Sequence, residues 1–233
     1  MKTIAIVCAM DKELDTLKND LSSLQTIKVL EHIVYIGSYY DYKIILAKTG
    51  IGKVAAATFL TILIERYHPE LVINMGIAGG YDKKLKTLDT VIATGGVYSD
   101  VDMLGVEDVN LSYGQLEEKP PYFKVNDEIL TKIKIVLEDD VKYGMIATGD
   151  QFVTNYENCQ NIVAKYHDSY QILAFDMEST AILQVCYEYM MPCIIIRTIS
   201  DVIGSTSFFD YLTFSNEASL KATSICKKIL QNL

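Results

Sequence analysis

The chain has 233 residues, of which 50% are apolar and 22% are charged, a composition typical of a folded globular protein with one sizeable core. Its net charge of −9 argues against an unassisted hold on nucleic acid and disfavours anionic membrane surfaces, so we expect neither as a partner. Apolar runs are far shorter than a bilayer span, and no Pro-, Ser- or Gly-rich linker occurs, which predicts a single domain over 1–233.

Short apolar runs alternate with segments of helical periodicity along most of the chain. The runs predict strands at 3–8, 33–36, 43–47, 71–74, 91–94, 144–147 and 193–198. The periodic segments predict helices at 11–24, 53–67, 127–137, 178–190 and 216–230. Several strands are apolar at consecutive positions, which implies burial on both faces and predicts a three-layer α/β/α sandwich.

Residues 100–123 follow neither period and contain Pro120 and Pro121, which predicts a long loop. A loop of this length commonly serves binding or assembly, with a plain surface excursion as the alternative. The five cysteines are widely spaced and form no CxxC pair, as expected for reduced, buried thiols in a cytoplasmic protein. Because the three histidines stand apart from one another and from the cysteines, the sequence offers no metal site.

Three carboxylates fall at strand ends or helix starts: Glu13, Glu178 and Asp201. Ligands of open α/β sheets bind at the carboxyl ends of the strands, although helix capping is the alternative for Glu13 and Glu178. Asp201 follows Ser200 and opens no clear helix. Arg197 lies in an apolar strand, where its guanidinium either pairs with a carboxylate or reaches solvent at the strand edge.

Two glycine clusters, at 49–53 and 76–80, also follow predicted strands. Glycine permits tight turns and close backbone approach to a ligand. Neither cluster matches the dinucleotide or the phosphate-loop fingerprint, so taken alone each is compatible with a plain turn.

Six segments combine these features: IVCAMDKE at 6–13, TGIGKVA at 49–55, NMGIAGG at 74–80, GDQFV at 149–153, FDME at 175–178 and RTISDV at 197–202. In this order and spacing, over nearly the entire chain, they resemble the 5′-methylthioadenosine/S-adenosylhomocysteine nucleosidases. The resemblance implies a nucleoside phosphorylase-like α/β/α sandwich with a mixed central sheet, commonly a homodimer. It also implies hydrolysis of the N-glycosidic bond, which releases adenine and the 5′-thio-substituted ribose.

Site roles follow from the resemblance at the matching positions. Glu13 would activate water, and Asp201, supported by Ser200, would protonate adenine N7. Glu178 would hold the ribose 2′-hydroxyl, and Phe152 would stack on adenine. The further substrate contacts that the resemblance implies are Met10, Ile51, Ile77, Val153 through its main chain, Met177 against the sugar, Arg197, and Phe208 or Phe209 around the 5′-substituent.

These residue types suit the reaction. Breaking the C1′–N9 bond places positive charge on the ribose and negative charge on the departing purine, so one carboxyl must donate a proton while another handles water. The donor needs a raised pKa, which burial provides. Two acids suffice, and we expect no metal or organic cofactor.

The chain departs from the family pattern at Lys12, where an acidic residue is frequent, at bulky Ile77, and in the loop after 101–103. Three alternatives remain open at the level of sequence. A nucleoside phosphorylase would normally fix phosphate with several arginines, whereas this chain has only Arg66 and Arg197. The others are hydrolysis of a related adenine nucleoside, such as aminofutalosine or 5′-deoxyadenosine, and a non-catalytic nucleoside-binding module.

Overall fold

Strands and helices alternate in a computed structural model of the chain, which describes residues 1–106, 110–138, 141–204 and 207–233. The strands are β1 (Lys2–Cys8), β2 (Ser22–Val29), β3 (His32–Tyr39), β4 (Tyr42–Lys48), β5 (Leu71–Gly80), β6 (Thr90–Tyr98), β7 (Phe123–Lys124), β8 (Lys142–Thr148), β9 (Ile172–Asp176) and β10 (Cys193–Val202). The helices are α1 (Asp11–Lys18), α2 (Lys53–Tyr67), α3 (Asp127–Leu137), α4 (Tyr156–Val163), α5 (Ser179–Glu188) and α6 (Ser207–Leu230).

The described strands form one mixed sheet, as predicted. β1 pairs in parallel with β4 and β5, and β3 and β2 extend the sheet beyond β4 by antiparallel pairing. On the other side the sheet curls, because β5 pairs with both β9 and β10. Pairing of β10 with β6, β6 with β8 and β8 with β9 then closes a ring of strands. No pattern in the sequence predicted this closure.

Helices cover the sheet in two groups. In one group α6 packs on β5 and β10 and also contacts α1 and α3. In the other group α2 and α5 pack on each other, with α5 against β6 and β8. Residues 4–8 of β1 are almost completely buried, which explains their uninterrupted apolar character. The predicted layering of helices around a central sheet is therefore confirmed.

Several predicted boundaries change in the structure. α2 and α3 have the predicted limits, but the helix predicted at 11–24 ends at Lys18, and β2 begins four residues later. Most of β2 is exposed at the edge of the sheet, so it lacks the apolar pattern that marks a buried strand. α6 begins at Ser207 instead of 216, while α4 and β9 were not predicted. The described part of the loop predicted at 100–123 has turns and only the first residue of β7.

Glycine-rich and acidic segments follow the strands on the side where β1, β5, β9 and β10 end. This curled end of the sheet brings together segments that are distant in the sequence, because β5 pairs with β9 through Gly79 and Gly80 and with β10 along most of its length. No helix within the described ranges has the combined length and apolar character that a membrane crossing requires.

Candidate active site

A cleft opens where β1, β5, β8, β9 and β10 end, with about 670 Å³ of empty space including its mouth. Apolar side chains with a few buried carboxyls among them are typical of the lining of a small-molecule site. The sequence-predicted site residues that line it are Met10, Glu13, Ile51, Ile77, Phe152, Val153, Met177, Glu178, Ser200 and Asp201. The structure thus brings together both predicted catalytic carboxyls and most of the predicted substrate contacts.

Glu13 is buried at the start of α1 with its carboxylate held by backbone N–H groups. The amides of Ala9 and Met10 both donate to Oε2 at 2.9 Å, and the amide of Ile77 donates to Oε1 at 3.3 Å. Burial raises the pKa of Glu13, while Arg197 and the three amides oppose the rise. The carboxylate therefore caps the helix, as the alternative interpretation proposed, and also faces the cleft.

Gly76 leaves room for this carboxylate. A Cβ atom at position 76 would lie 2.8 Å from Oε1 of Glu13 and 3.3 Å from Nη1 of Arg197. Both distances are shorter than ordinary van der Waals contacts, so any side chain here would displace the acid. Gly76 is therefore needed at this position because it has no side chain, which leaves space for the Glu13 carboxylate.

Asp201 lies near the end of β10, where the pairing with β5 changes register. Its Oδ1 accepts a 2.7 Å hydrogen bond from the Ser200 hydroxyl, whereas its buried Oδ2 has no hydrogen-bond partner among the described residues. Burial raises the pKa of Asp201 to about 6, and Asp210 adds to the rise, while the Ser200 hydroxyl opposes it. One oxygen is thus anchored, and the other can hold a proton close to neutral pH.

Glu178 directly precedes α5 but makes no side-chain capping hydrogen bond to it. Its Oε1 instead accepts a 2.8 Å hydrogen bond from the amide of Gly52. Gly52 has φ of 93°, a conformation that disfavours other residues, and this explains the second glycine of the 49–53 cluster. Burial, followed by the nearby Asp176 carboxylate, raises the pKa of Glu178 to about 7.

Arg197 lies beneath the cleft and does not line it. Its Nε donates to Oδ2 of Asp176 at 2.8 Å, its Nη2 to Oδ1 of Asn74 at 2.6 Å, and its Nη1 to the carbonyl of Ile196 at 3.0 Å. Burial lowers the pKa of Arg197, but the surrounding carboxylates outweigh it, so the pKa is raised and the charge is kept. The carboxylate partner that the sequence required is Asp176, and Arg197 supports the site from below.

Aromatic rings form the mouth of the cleft. Phe152 packs edge-to-face on Tyr211 at 5.3 Å and on Phe208 at 6.4 Å between ring centroids. Phe208 and Phe209 are 62% and 70% exposed and do not line the cleft, whereas Tyr211 does. Sequence reasoning missed Tyr211 because it placed the start of the last helix at 216, whereas α6 begins at Ser207.

Asp176 was also missed, although it stands in the FDME segment. It accepts hydrogen bonds from Arg197, from the Thr148 hydroxyl at 2.6 Å and from the Ser179 hydroxyl, so its charge is fully engaged. The sequence did contain a signal for Asp176. An arginine buried in one apolar strand needs a carboxylate partner, and Asp176 stands at the end of another apolar segment.

Among the described residues, no group of His, Cys, Asp and Glu side chains is arranged to hold a metal ion.

Known proteins are similar to this chain in sequence and in fold. The profile of the Phosphorylase superfamily matches residues 3–231, which defines the class. A 5′-methylthioadenosine/S-adenosylhomocysteine nucleosidase of Bacillus thuringiensis is 38% identical over 235 residues, 99% of both chains. The solved S-adenosylhomocysteine nucleosidase of Streptococcus pyogenes, in complex with 5-methylthiotubericidin, superposes with a TM-score of 0.92 at 31% identity, covering 100% of this chain and 97% of that one. The chain belongs to the 5′-methylthioadenosine/S-adenosylhomocysteine nucleosidase family.

A further structural relative carries a different name. A futalosine hydrolase mutant of Helicobacter pylori superposes with a TM-score of 0.92 at 25% identity, covering 100% of both chains. The shared fold thus accompanies more than one nucleoside substrate among the relatives, and the choice of substrate depends on the residues around the cleft.

Proposed function

We propose that this protein hydrolyses the N-glycosidic bond of 5′-methylthioadenosine and S-adenosylhomocysteine. The observation that carries the proposal is the pair of buried carboxyls, Glu13 and Asp201, that face one cleft with raised pKa values. Such a pair can supply a base and an acid on either side of a scissile bond. The names of the relatives support the choice of substrates.

In the proposed reaction Glu13 accepts a proton from water as the water oxygen bonds to C1′. The electron pair of the C1′–N9 bond moves onto adenine, and Asp201 donates its proton to N7. The anchored Oδ1 and the unpartnered Oδ2 of Asp201 suit this donation, because Ser200 fixes the carboxyl while one oxygen stays available. The amides of Ala9 and Met10 orient the Glu13 carboxylate by hydrogen bonds and leave it negatively charged.

The remaining contacts position the substrate. Glu178 takes the ribose hydroxyls, Met177 lies against the sugar, and Phe152 stacks on the purine. Ile51 and Ile77 line the apolar wall, and Met10 lies on the 5′ side. Arg197 acts through Asp176 and Glu13 and has no direct contact with substrate in this proposal.

The activity is tested by adenine release from 5′-methylthioadenosine in phosphate-free buffer and again with added phosphate. We expect release at the same rate in both buffers, with 5-methylthioribose as the second product in chromatography. Release that requires phosphate, with a ribose 1-phosphate product, would identify a phosphorylase. Tight binding without release would identify a nucleoside-binding module.

A second candidate is hydrolysis of a futalosine-type nucleoside, which the Helicobacter pylori relative favours. The same acid and base would serve, since the N-glycosidic bond is alike and aminofutalosine also releases adenine. The kcat/KM values of 5′-methylthioadenosine and aminofutalosine, measured side by side, separate the two assignments.

We also propose that the chain acts as a homodimer. Val54 on α2 is 77% exposed, and beside it lies a surface cavity formed by α2, α5 and the start of the 100–123 loop, lined partly by Val101, Leu116 and Val185. Ile51, which is 58% exposed, connects this surface to the cleft. A second copy on this face would cover both apolar surfaces.

Light scattering on a size-exclusion column is expected to give twice the 26.1 kDa chain mass. Val54→Asp should shift the mass towards that of the monomer, whereas Ile135→Asp, at an exposed position on α3, should not. A monomeric wild-type protein at micromolar concentration would contradict the proposal.

We also propose a single domain over 1–233 and a cytoplasmic location. The location is supported by the five cysteines, which are all buried and free.

A further inference from the structure

Lys12, the second residue of α1, holds a cation at the mouth of the cleft. Its Nζ lies 4.9 Å from the centroid of the Tyr211 ring. In the described part of the chain Lys12 forms no ion pair or hydrogen bond, whereas the adjacent Asp11 pairs with Lys48 at 2.6 Å. The ammonium of Lys12 therefore keeps its capacity to bind an anion.

Tyr211 connects this ammonium to the cleft. The ring lines the cleft and packs on Phe152, and its hydroxyl lies 3.7 Å from the sulfur of Met10. Met10 and Tyr211 thus form one side of the mouth, and the Lys12 ammonium lies over the Tyr211 ring. The ammonium is one ring away from any group that leaves the cleft here.

The arrangement of the carboxyls decides which part of a nucleoside leaves the cleft on this side. Asp201, Glu13 and Glu178 are all buried. In the proposed reaction Asp201 meets the purine, while Glu13 and Glu178 meet C1′ and the ribose hydroxyls. None of these three carboxyls contacts the C5′ position of the ribose in that reaction. In the proposed reaction its substituent extends past Met10 and Tyr211, which line the cleft, to the mouth.

We propose that Lys12 binds a carboxylate at the end of the 5′-substituent, so that the protein favours adenine nucleosides with an anionic amino-acid tail over those with a neutral one. This inference rests on the proposed function and names the preferred substrate class, of which S-adenosylhomocysteine is a member. The tail carboxylate would meet the ammonium, with the Tyr211 ring as a shared wall.

The state of Lys12 supports the interaction. Partial burial lowers the pKa of Lys12, and the neighbouring Glu13 carboxylate opposes this. A partly desolvated ammonium gains more from a new carboxylate partner than a fully hydrated one does. Because the site is at a rim and remains open to water, we expect an effect of about fivefold, the size typical of a half-exposed pair.

The test compares two substrates that differ at one group, S-adenosylhomocysteine and its carboxamide. The ratio of their kcat/KM values is measured for wild type, Lys12→Gln, Lys12→Arg and the control Lys18→Gln. Lys18 lies on the same helix and pairs with Asp15, so its replacement removes an equal charge from α1. Any general effect of lost charge on Glu13 acts on both substrates and cancels in the ratio.

We expect Lys12→Gln to lower the ratio about fivefold, while Lys12→Arg and Lys18→Gln retain it. The wild-type ratio should also fall as salt increases. An unchanged ratio in Lys12→Gln, or an equal fall in Lys18→Gln, would overturn the inference. If wild type cleaved neither substrate, nor 5′-methylthioadenosine, the proposed function itself would fail, which is a distinct result.

Discussion

Replacement of Asp201 by Asn is expected to lower kcat about 10³-fold, the middle of the range for loss of a general acid. The amide keeps the shape of the side chain and can still contact Ser200, but it has no proton to give to the departing purine. Binding of an uncleavable adenine nucleoside analogue, measured by calorimetry, should stay within about tenfold of wild type, because the loss is confined to the transition state.

The pH profile gives this prediction a sharper form. Burial raises the pKa of Asp201 to about 6, so its proton is present below that pH and is lost above it. The kcat/KM of wild type should therefore decline as pH rises beyond about 6, and the residual activity of Asp201→Asn should lack this decline. Asp168→Asn, the same change at an exposed carboxyl, should behave as wild type. Retention of the decline in Asp201→Asn would assign the acid to another group.

Replacement of Arg197 by Met is expected to reduce the free energy of unfolding by about 3–5 kcal/mol. Methionine fills much of the space of the arginine stem, so the main loss is electrostatic. Asp176 would keep the hydroxyl donors Thr148 and Ser179 but lose its buried cation, and Glu13 and Glu178 would lose the same counter-charge. Urea unfolding monitored by circular dichroism measures the change.

Arg66→Met is the matched control, because Arg66 is exposed on α2 and is the only other arginine of the chain. Its effect should stay within about 0.5 kcal/mol. The double variant Arg197→Met with Asp176→Asn should be less destabilised than Arg197→Met alone, since it removes the buried charge that the arginine had balanced. If the double variant were the less stable of the two, packing and not charge would be the function of Arg197.

Local sequence patterns predicted the parts of the fold that depend on burial. α2 and α3 were placed to the residue, because each has an apolar face of helical period or a clear cap, such as Asn126 before α3. β2 was missed because most of it is exposed, so it has no apolar pattern of its own. α4 was missed although Asn155 caps it and Tyr156, Cys159, Ile162 and Val163 recur at helical spacing, because this pattern is short. The closed ring of strands was missed because pairing partners are set by tertiary packing.

The candidate site also contains residues that the sequence predicted and residues that it did not. Glu13, Glu178 and Asp201 could be singled out because carboxyls at the ends of apolar strands are conspicuous. The resemblance added their roles, which remain predictions, but it also suggested that Arg197 touches substrate, whereas the structure buries its guanidinium under Asp176. Tyr211 reaches the cleft from α6, some 200 positions from Met10 in the chain. No local sequence pattern predicts a contact between residues this far apart in the chain.

The closed ring of strands fixes the proposed acid of the site, Asp201, independently of the helix starts that line the mouth of the cleft. Asp201, Asp176 and Gly79 belong to strands of one hydrogen-bonded circuit, so a shift of one strand would have to be shared by its neighbours around the ring. Tyr211 lies near the start of α6 and Lys12 in the first turn of α1, both outside that circuit, although Lys12 directly precedes the proposed base Glu13. Substitutions at Tyr211 can therefore change the accepted 5′-group while the ring keeps Asp201 in place, so this side of the mouth is where new substrates would be selected by evolution or by design.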